Sequence, residues 1–427
     1  MKIKEVIKKL DFFLEKEELR DIDRKVKEFT EALRENVKKK GIDAEAFIGG
    51  SFTKGTLARS DEYDVDVFVR FDWKYEDLAY ELEGILKKLA KEKNMKMDRM
   101  HGSRDYFKVY LDRKLTFEIV PVLKIKKNSE ARNVTDLSYF HVNYVKRNLN
   151  EKMRKEVLLL KKFFKAAKVY GAESYINGFS GYGAECLIIV YKSFEKALKE
   201  LLKVKENERI ILDPARYYKN KNEVFIKVNE NKIRGPVILI DPTWKERNVL
   251  SALNWETFRK FQEYCKNFLK NPSEKYFYLE KLDKDKLKEL AKKKNADFLR
   301  INLETDKQEG DIAGTKLKKF SKFLLNEVRK YFDILEEDFI YEGNKAANLY
   351  IICKSKKEYV KIGPPLGRKD DVKDFEKVNK NTFEKNGFVH SLIKVDFSAE
   401  ELLKRFASRE KDRKLKEMGI IGMSVEK

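Results

Sequence analysis

The sequence predicts a multidomain α+β protein: an N-terminal mixed sheet with helices, a helical central domain and a C-terminal α+β module. Three observations lead there. The 427 residues exceed what one hydrophobic core ordinarily serves. Short alternating runs such as "DVDVFVRF" and "LTFEIVPVLKI" sit among helical stretches in the first 135 residues. From 136 the texture turns helical, and beyond about 256 helices and strands mix again. The expected domains are therefore 1–135, 136–255 and 256–427.

Taken in order, residues 1–40 read as two amphipathic helices, with apolar side chains at 3, 6, 7, 10, 13 and 14. "IDAEAFIGG" is a short strand ending in a glycine pair, "FTKGTLAR" a turn or short helix, and "DVDVFVRF" a strand. "KYEDLAYELEGILKKLAKEKN" is a helix, and "YFKVYLD" with "LTFEIVPVLKI" forms a hairpin. "NEKMRKEVLLLKKFFKAAKVYG" is a long helix that Gly171 would stop. "GFSGYGAECLIIVYKSFEKALKELL" opens at Ser180 and runs into a strongly apolar helix. Further on, "WETFRKFQEYCKNFL" and "GTKLKKFSKFLLNEVRKYF" read as helices, and "ADFLRINLE", "FIYEGNKAANLYIICKS" and "FVHSLIKVDF" as strands. "IGPPLGRKD" reads as a loop, and "SREKDRKLKEMGIIGMSVEK" leaves open whether it folds alone.

Composition narrows the partners. The chain is 42% hydrophobic and 12% aromatic, enough to fill real cores. Lys and Arg number 94 against 72 Asp and Glu, a net charge of +22. A surplus of that size points to a polyanion, most simply nucleic acid. Three scattered cysteines, Cys186, Cys265 and Cys353, give no CxxC pair, so a reducing, cytoplasmic setting is expected. The charged "MKIKEVIKKLDFFLEKEELRDIDRK" has no signal-peptide core, and "CLIIVY" is far too short to span a bilayer, so no membrane partner is expected.

The densest chemistry lies in "GGSFTKGTLARSDEYDVDVFVRF". Residues two apart on a strand share a face, so Asp64 and Asp66 sit side by side. Two such carboxylates repel and raise each other's proton affinity. A divalent cation between them removes the conflict, and phosphoryl transfer commonly uses two metals roughly 3.5–4 Å apart. Glu118, the lone acid in "LTFEIVPV", is the candidate third ligand. Ahead of the acids, Gly49, Gly50 and Ser51 let backbone N–H groups approach a phosphate, with Lys54 and Thr56 one turn on. A glycine–serine turn or a DxD pair alone is an ordinary surface pattern. The turn, the pair and the later acid in an apolar strand agree with one another, which is what gives them weight.

At this point the chain resembles the nucleotidyltransferase superfamily typified by DNA polymerase beta. Within it, the chain is similar to archaeal, class I CCA-adding enzymes, the tRNA nucleotidyltransferases. The likeness extends through "RNVTDLSYFHVNYV", "LLLKKFFKAAKVYGAESYINGFSGYGAECLIIVYKSF", "IDPTWKERNVLSALN" and "IGPPLGRKDDVKDFEKVN", roughly residues 30 to 400. The resemblance implies a polymerase beta-like N-terminal core, with Asp64, Asp66 and Glu118 as catalytic metal ligands for two Mg2+ ions. It implies that Gly50 and Ser51 hold the triphosphate with Lys54 nearby, that His141, Lys161 and Tyr170 complete the nucleotide pocket, and that Arg247 lies near the incoming base. This sequence departs from the family pattern in having Asp64 where Glu is frequent, Glu118 where Asp is usual, and Lys54 where Arg is common. A point charge then replaces a bidentate phosphate grip.

Those roles come from the resemblance. By residue chemistry alone, Lys161 also suits a solvated helix face, His141 a half-buried structural site, Tyr170 a core position and Arg247 surface charge. The implied activity is addition of CCA to the 3′ end of tRNA from CTP and ATP, with release of pyrophosphate. Dispersed lysines in "KKLAKEKNMKMDR", "YYKNKNEVFIKVNENKIR" and "LKKFSKF" suit an RNA acceptor stem and 3′ end, which are recognised through shape and phosphates. The alternatives are a poly(A) polymerase or oligoadenylate synthase-like enzyme, and a non-catalytic RNA-binding protein. The oligomeric state is open, a homodimer included.

Overall fold

The computed structural model describes residues 2–102, 104–280, 282–409 and 414–427. The chain divides into two compact units, one of Met1–Ala172 with Ile176–Glu280 and one of Glu173–Tyr175 with Lys281–Lys427.

The first unit opens with helices α1 (Ile3–Lys8) and α2 (Lys16–Lys39), strand β1 (Ala44–Ile48) and the short helix α3 (Gly50–Lys54). Strand β2 (Tyr63–Phe71), helix α4 (Leu78–Lys93) and strands β3 (Lys96–Met100), β4 (Tyr106–Tyr110) and β5 (Leu115–Leu123) follow. The five strands form one sheet in the order β1-β2-β5-β4-β3. β2 and β5 run parallel, and every other neighbour pair is antiparallel. β3 was not expected from the sequence, because "KMDRM" is charged at three of its five positions and lacks a clean apolar alternation. Pairing with β4 holds it.

Alternation along β2 sets the site. Val65, Val67 and Val69 are completely buried in a core shared with Val26, Phe29 and Leu33 of α2 and Leu82 and Ile85 of α4. Phe29 stacks on Phe117 of β5 with ring centroids 3.9 Å apart. Each buried valine contributes about 2 kcal/mol to keeping this face inward. Asp64 and Asp66 are thereby turned to the opposite face.

The same unit continues with α5 (Ser138–Asn148), α6 (Glu151–Ala166), α7 (Gly181–Tyr191), α8 (Phe194–Leu201), β6 (Ile210–Leu212) and α9 (Lys221–Lys227). β7 (Val237–Asp241), β8 (Trp244–Asn248) and α10 (Trp255–Lys270) complete it. The expected long apolar helix from Ser180 is two helices. Lys192 takes a left-handed conformation with φ of 70°, and Ser193 then caps α8 by accepting from the Lys196 N–H. Ser180 caps α7 in the same way, through the Gly183 N–H. α6 stops at Ala166, earlier than Gly171 suggested.

A second core gathers these helices, and its limits differ from the domain limits drawn on sequence. Val6, Leu10 and Phe12 pack into it rather than into the first core, and it reaches Phe277, beyond residue 255. The reason is amphipathic: the stretch before α2 buries its apolar side against α6 and its neighbours.

The second unit holds α11 (Lys284–Lys294), β9 (Asp297–Glu304), α12 (Asp311–Tyr331), β10 (Phe332–Tyr341) and β11 (Ala346–Ser355). It continues through β12 (Glu358–Pro365), α13 (Lys369–Val378), β13 (Thr382–Lys385), β14 (Phe388–Lys394), α14 (Ala399–Arg409) and β15 (Gly422–Glu426). A four-stranded sheet runs β10-β11-β9-β15 and a three-stranded one β12-β14-β13. The stretch read as one strand, "FIYEGNKAANLYIICKS", is most of a hairpin formed by β10 and β11. Part of the expected "IGPPLGRKD" loop is the end of β12, irregular between Ile362 and Pro365. The charged end does not fold alone: its residues 410–413 lie outside the described residues, and its β15 pairs antiparallel with β9. Among the described residues no helix is long and apolar enough to cross a membrane.

Candidate active site

In the β2–β5 register Asp66 lies directly opposite Glu118, and Asp64 lies opposite Thr116. Asp64 is exposed and Asp66 half-buried. The backbone N–H of Gly49 donates to the Asp66 carbonyl at 2.8 Å, which draws the start of α3 over the acids. Gly50 has φ of 59°, and a Cβ there would sit 1.7 Å from Oδ2 of Asp66. Only glycine lets the backbone pass that close. Burial, then the charges of Glu118 and Asp64, push the Asp66 carboxyl up to about 6, with Lys54 pulling the other way.

Glu118 is tied to its other neighbour. It faces Lys108 across the β4–β5 pair, and their side chains meet at 3.0 Å. Among the described residues no three His, Cys, Asp or Glu side chains converge closely enough to hold a metal ion unaided. The expected convergence of three acids is therefore incomplete: Glu118 is beside Asp66 by register, but its carboxylate is held by an ammonium.

Behind the acids lies a buried charged cluster. Glu185 on α7 accepts from Lys54 Nζ on one carboxylate oxygen and from Lys161 Nζ on the other, each at 2.8 Å. The Thr56 hydroxyl donates to Oε1 of Glu185 at 2.8 Å and accepts from Lys161 Nζ at 3.1 Å. Burial raises the Glu185 carboxyl, but Lys161 and Lys54 outweigh it and hold the group at about 2. Lys161 is thus drawn out of the solvated helix face that its lysine-rich neighbourhood suggested.

A second buried hub is Asp241, at the end of β7. Arg247 Nη1 donates to its Oδ2 at 2.6 Å, and His141 Nε2 lies 3.0 Å from the same oxygen. Its Oδ1 accepts from the Tyr182 hydroxyl at 3.2 Å and from the Thr243 N–H and hydroxyl at 2.8 Å. Against burial, His141 first, then the Arg247 charge and the Thr243 N–H, hold Asp241 well below the usual carboxylate range. Burial keeps His141 below its ordinary value, which favours the neutral ring. His141 stacks on Tyr182 with centroids 4.2 Å apart, and Lys54 Nζ lies 5.3 Å from the centre of the same ring. Tyr182 and Glu185, one turn apart on α7, therefore connect the two hubs.

Tyr170 is half-buried and bridges to Phe179, and a Cβ on Gly181 would come 2.8 Å from its hydroxyl. Ser51 sits in the first turn of α3, its carbonyl accepting the Thr56 N–H at 2.9 Å. The fold thus brings Gly50, Lys54, Asp64, Asp66 and Glu118 together, and Lys54 links them to Lys161 through Glu185. Tyr182, Glu185 and Asp241 were missed as site residues. Their signal was present: Glu185 is the only acid in "GYGAECLIIVY", and Asp241 ends the apolar run "VILID".

Two family models match this chain. The nucleotidyltransferase domain family matches residues 26–133, and the tRNA nucleotidyltransferase second-domain family matches 155–278. The CCA-adding enzyme of Nanoarchaeum equitans is 33% identical over 363 residues, 84% of this chain and 86% of the relative. The chain belongs to the CCA-adding enzyme family. The family's Sulfurisphaera tokodaii member is 31% identical over 89% of this chain and 88% of the relative. A solved structure of a mutant Cid1 poly(U) polymerase bound to MgATP, 13% identical, superposes with a TM-score of 0.50 over 65% of this chain and 98% of that one. That likeness concerns the fold alone. CCA-adding enzymes are nucleotidyltransferases, and the nucleotidyltransferase superfamily generally uses divalent metal ions.

Proposed function

We infer that this chain adds the CCA end to tRNA from CTP and ATP, acting on the acceptor stem and 3′ end. The observation that carries this is the apposition of two strand carboxylates, backed against Gly50, with a buried pair of lysines that share one glutamate. In the reaction the terminal 3′-hydroxyl oxygen bonds to the α-phosphorus, the bond to the β-phosphate oxygen breaks, and pyrophosphate leaves while the hydroxyl gives up its proton.

Asp64 and Asp66 present hard oxygen donors, with Asp66 directly opposite Glu118 in the strand register. Such a set suits magnesium, which takes one or two carboxylates and completes its shell with substrate phosphates and water rather than with an all-protein cage. Asp64 and Asp66, joined by Glu118 once it releases Lys108, would hold two ions, which supply activation of the hydroxyl and charge neutralisation at the phosphates. Gly50 and Ser51 would bring backbone N–H groups to the triphosphate, and Lys54 and Lys161 would neutralise it. His141, Tyr170 and Arg247 would line the nucleoside side, where Arg247 keeps donors beyond the one given to Asp241. In this reading the N-terminal part is catalytic, the central part binds nucleotide and tRNA, the C-terminal part binds tRNA, and the protein acts in the cytoplasm.

The test is incubation of tRNA lacking its terminal nucleotides with labelled CTP, ATP and magnesium, followed by sequencing of the 3′ ends. Two cytidines and then one adenosine are expected. Use of ATP alone would favour a poly(A) polymerase-like enzyme. Incorporation abolished in Asp66→Ala with RNA binding retained is expected only of an enzyme, whereas a wild-type protein that binds RNA and incorporates nothing would favour a non-catalytic RNA-binding protein.

A further inference from the structure

The Glu185 cluster carries an imbalance. Three charged side chains lie almost out of solvent, with Glu185 1% exposed, Lys54 9% and Lys161 8%. One carboxylate serves two ammonium groups, so the cluster keeps a net positive charge where water cannot easily reach it. Burying charge this way is a poor route to stability, since apolar replacements of similar volume commonly do as well or better.

The donors are unbalanced in the same sense. An ammonium has three N–H groups. Lys161 uses two, on Glu185 and Thr56, and keeps one, while Lys54 uses one on Glu185 and keeps two. Glu185 has both oxygens engaged, and Thr56 adds a third donor to it. The carboxylate thus fixes where the two nitrogens sit, from α3 on one side and α6 on the other, and leaves N–H groups for a further anion. That anion would lie beside the acids, because Lys54 ends the same short helix whose Gly50 is packed against Asp66.

We propose that Glu185 is the positioning residue of the polyphosphate seat: it holds Lys54 and Lys161 as a fixed pair of ammonium groups that receives the triphosphate of either nucleotide. This rests on the reading of those lysines as triphosphate-binding groups. A seat built this way is blind to the base, since His141 and Arg247 gather on the other hub, Asp241.

The experiment compares wild type with Glu185→Gln, Lys161→Ala and the double variant, measuring KM and kcat for CTP and ATP with a truncated tRNA, and inhibition by inorganic tripolyphosphate. Glutamine keeps the shape but offers one acceptor, so one lysine loses its partner. E185Q is expected to raise KM for CTP and for ATP by the same factor, about tenfold, the loss of roughly one charged hydrogen bond. Tripolyphosphate inhibition should weaken by a similar factor, and kcat should stay within about threefold, a loss in binding common to ground and transition states. The double variant should be no worse than K161A, because Glu185 acts through the lysines. A folded E185Q with unchanged KM and unchanged tripolyphosphate inhibition overturns the inference, and so do fully additive effects in the double variant. If K161A leaves nucleotide KM untouched, the reading of the lysines fails first. Should E185Q not fold, Glu185→Asp replaces it: it keeps the charge but reaches only one lysine, and the same rise in KM is expected, its absence again overturning the inference.

Discussion

Replacing Gly50 with alanine imposes two separable costs. The first is conformational: φ of 59° lies in the left-handed region, where an alanine loses about 1–2 kcal/mol relative to glycine. The second is steric and local. A Cβ would sit 1.7 Å from the Asp66 carboxylate oxygen, about half a normal contact distance, so the carboxylate must move by well over 1 Å. Misplacing a catalytic group by about 1 Å can cost on the order of 100-fold in rate. Gly41 supplies the control, because it has φ of 68° and nothing within 4 Å of its would-be Cβ. Gly41→Ala should therefore carry the conformational cost alone. We expect both variants to melt a few degrees lower, about 2–4 °C per kcal/mol in a unit of this size. Single-turnover cytidine addition should fall at least about 100-fold in Gly50→Ala and hardly at all in Gly41→Ala. Equal activity in the two variants would refute the idea that Gly50 exists to let Asp66 stand where it does.

Other outcomes follow from the same contacts. Asp66→Asn should abolish incorporation while a filter-binding assay still detects tRNA. Glu185 is held at about 2 against an ordinary 4.5, so its ion pairs stabilise the fold above pH 4.5, and that contribution fades as pH falls toward 2. The urea-unfolding gap between wild type and E185Q should accordingly shrink over that window; a constant gap would rule the linkage out. Arg247→Lys exchanges a planar fork for a point charge and should erode the preference for CTP and ATP over UTP and GTP, read as misincorporation, with tripolyphosphate inhibition unchanged. Ser193→Ala removes the cap of α8 and should cost about 1 kcal/mol in denaturant unfolding without altering kcat.

Where sequence and structure agree, the reason is periodicity. The alternation of β2 and β5 was visible in "DVDVFVRF" and "LTFEIVPV", and it sufficed to put Asp64, Asp66 and Glu118 on one sheet. Pairing partners were less legible. That Glu118 would face Asp66 on one side and Lys108 on the other depends on register across three strands, which no local pattern encodes. The Glu185 and Asp241 hubs were hidden for a similar reason. Lys54 and Glu185 are 131 residues apart, and His141 and Asp241 are 100 apart. Only the lone acid in an apolar run hinted at them. Helix ends failed where capping competed with hydrophobicity: Ser193 interrupts a run that would otherwise read as continuous.

The pairing of β15 with β9 has a consequence for synthesis on the ribosome. β9 is complete at Glu304, yet one of its edges stays open until Gly422 to Glu426 have been translated. During that interval an apolar strand, with Leu299, Ile301 and Leu303 along it, offers unpaired backbone to any passing strand. Messages truncated in between would therefore yield a sticky product, and a chaperone that shields nascent strands should raise the yield of full-length protein more than that of the first unit alone.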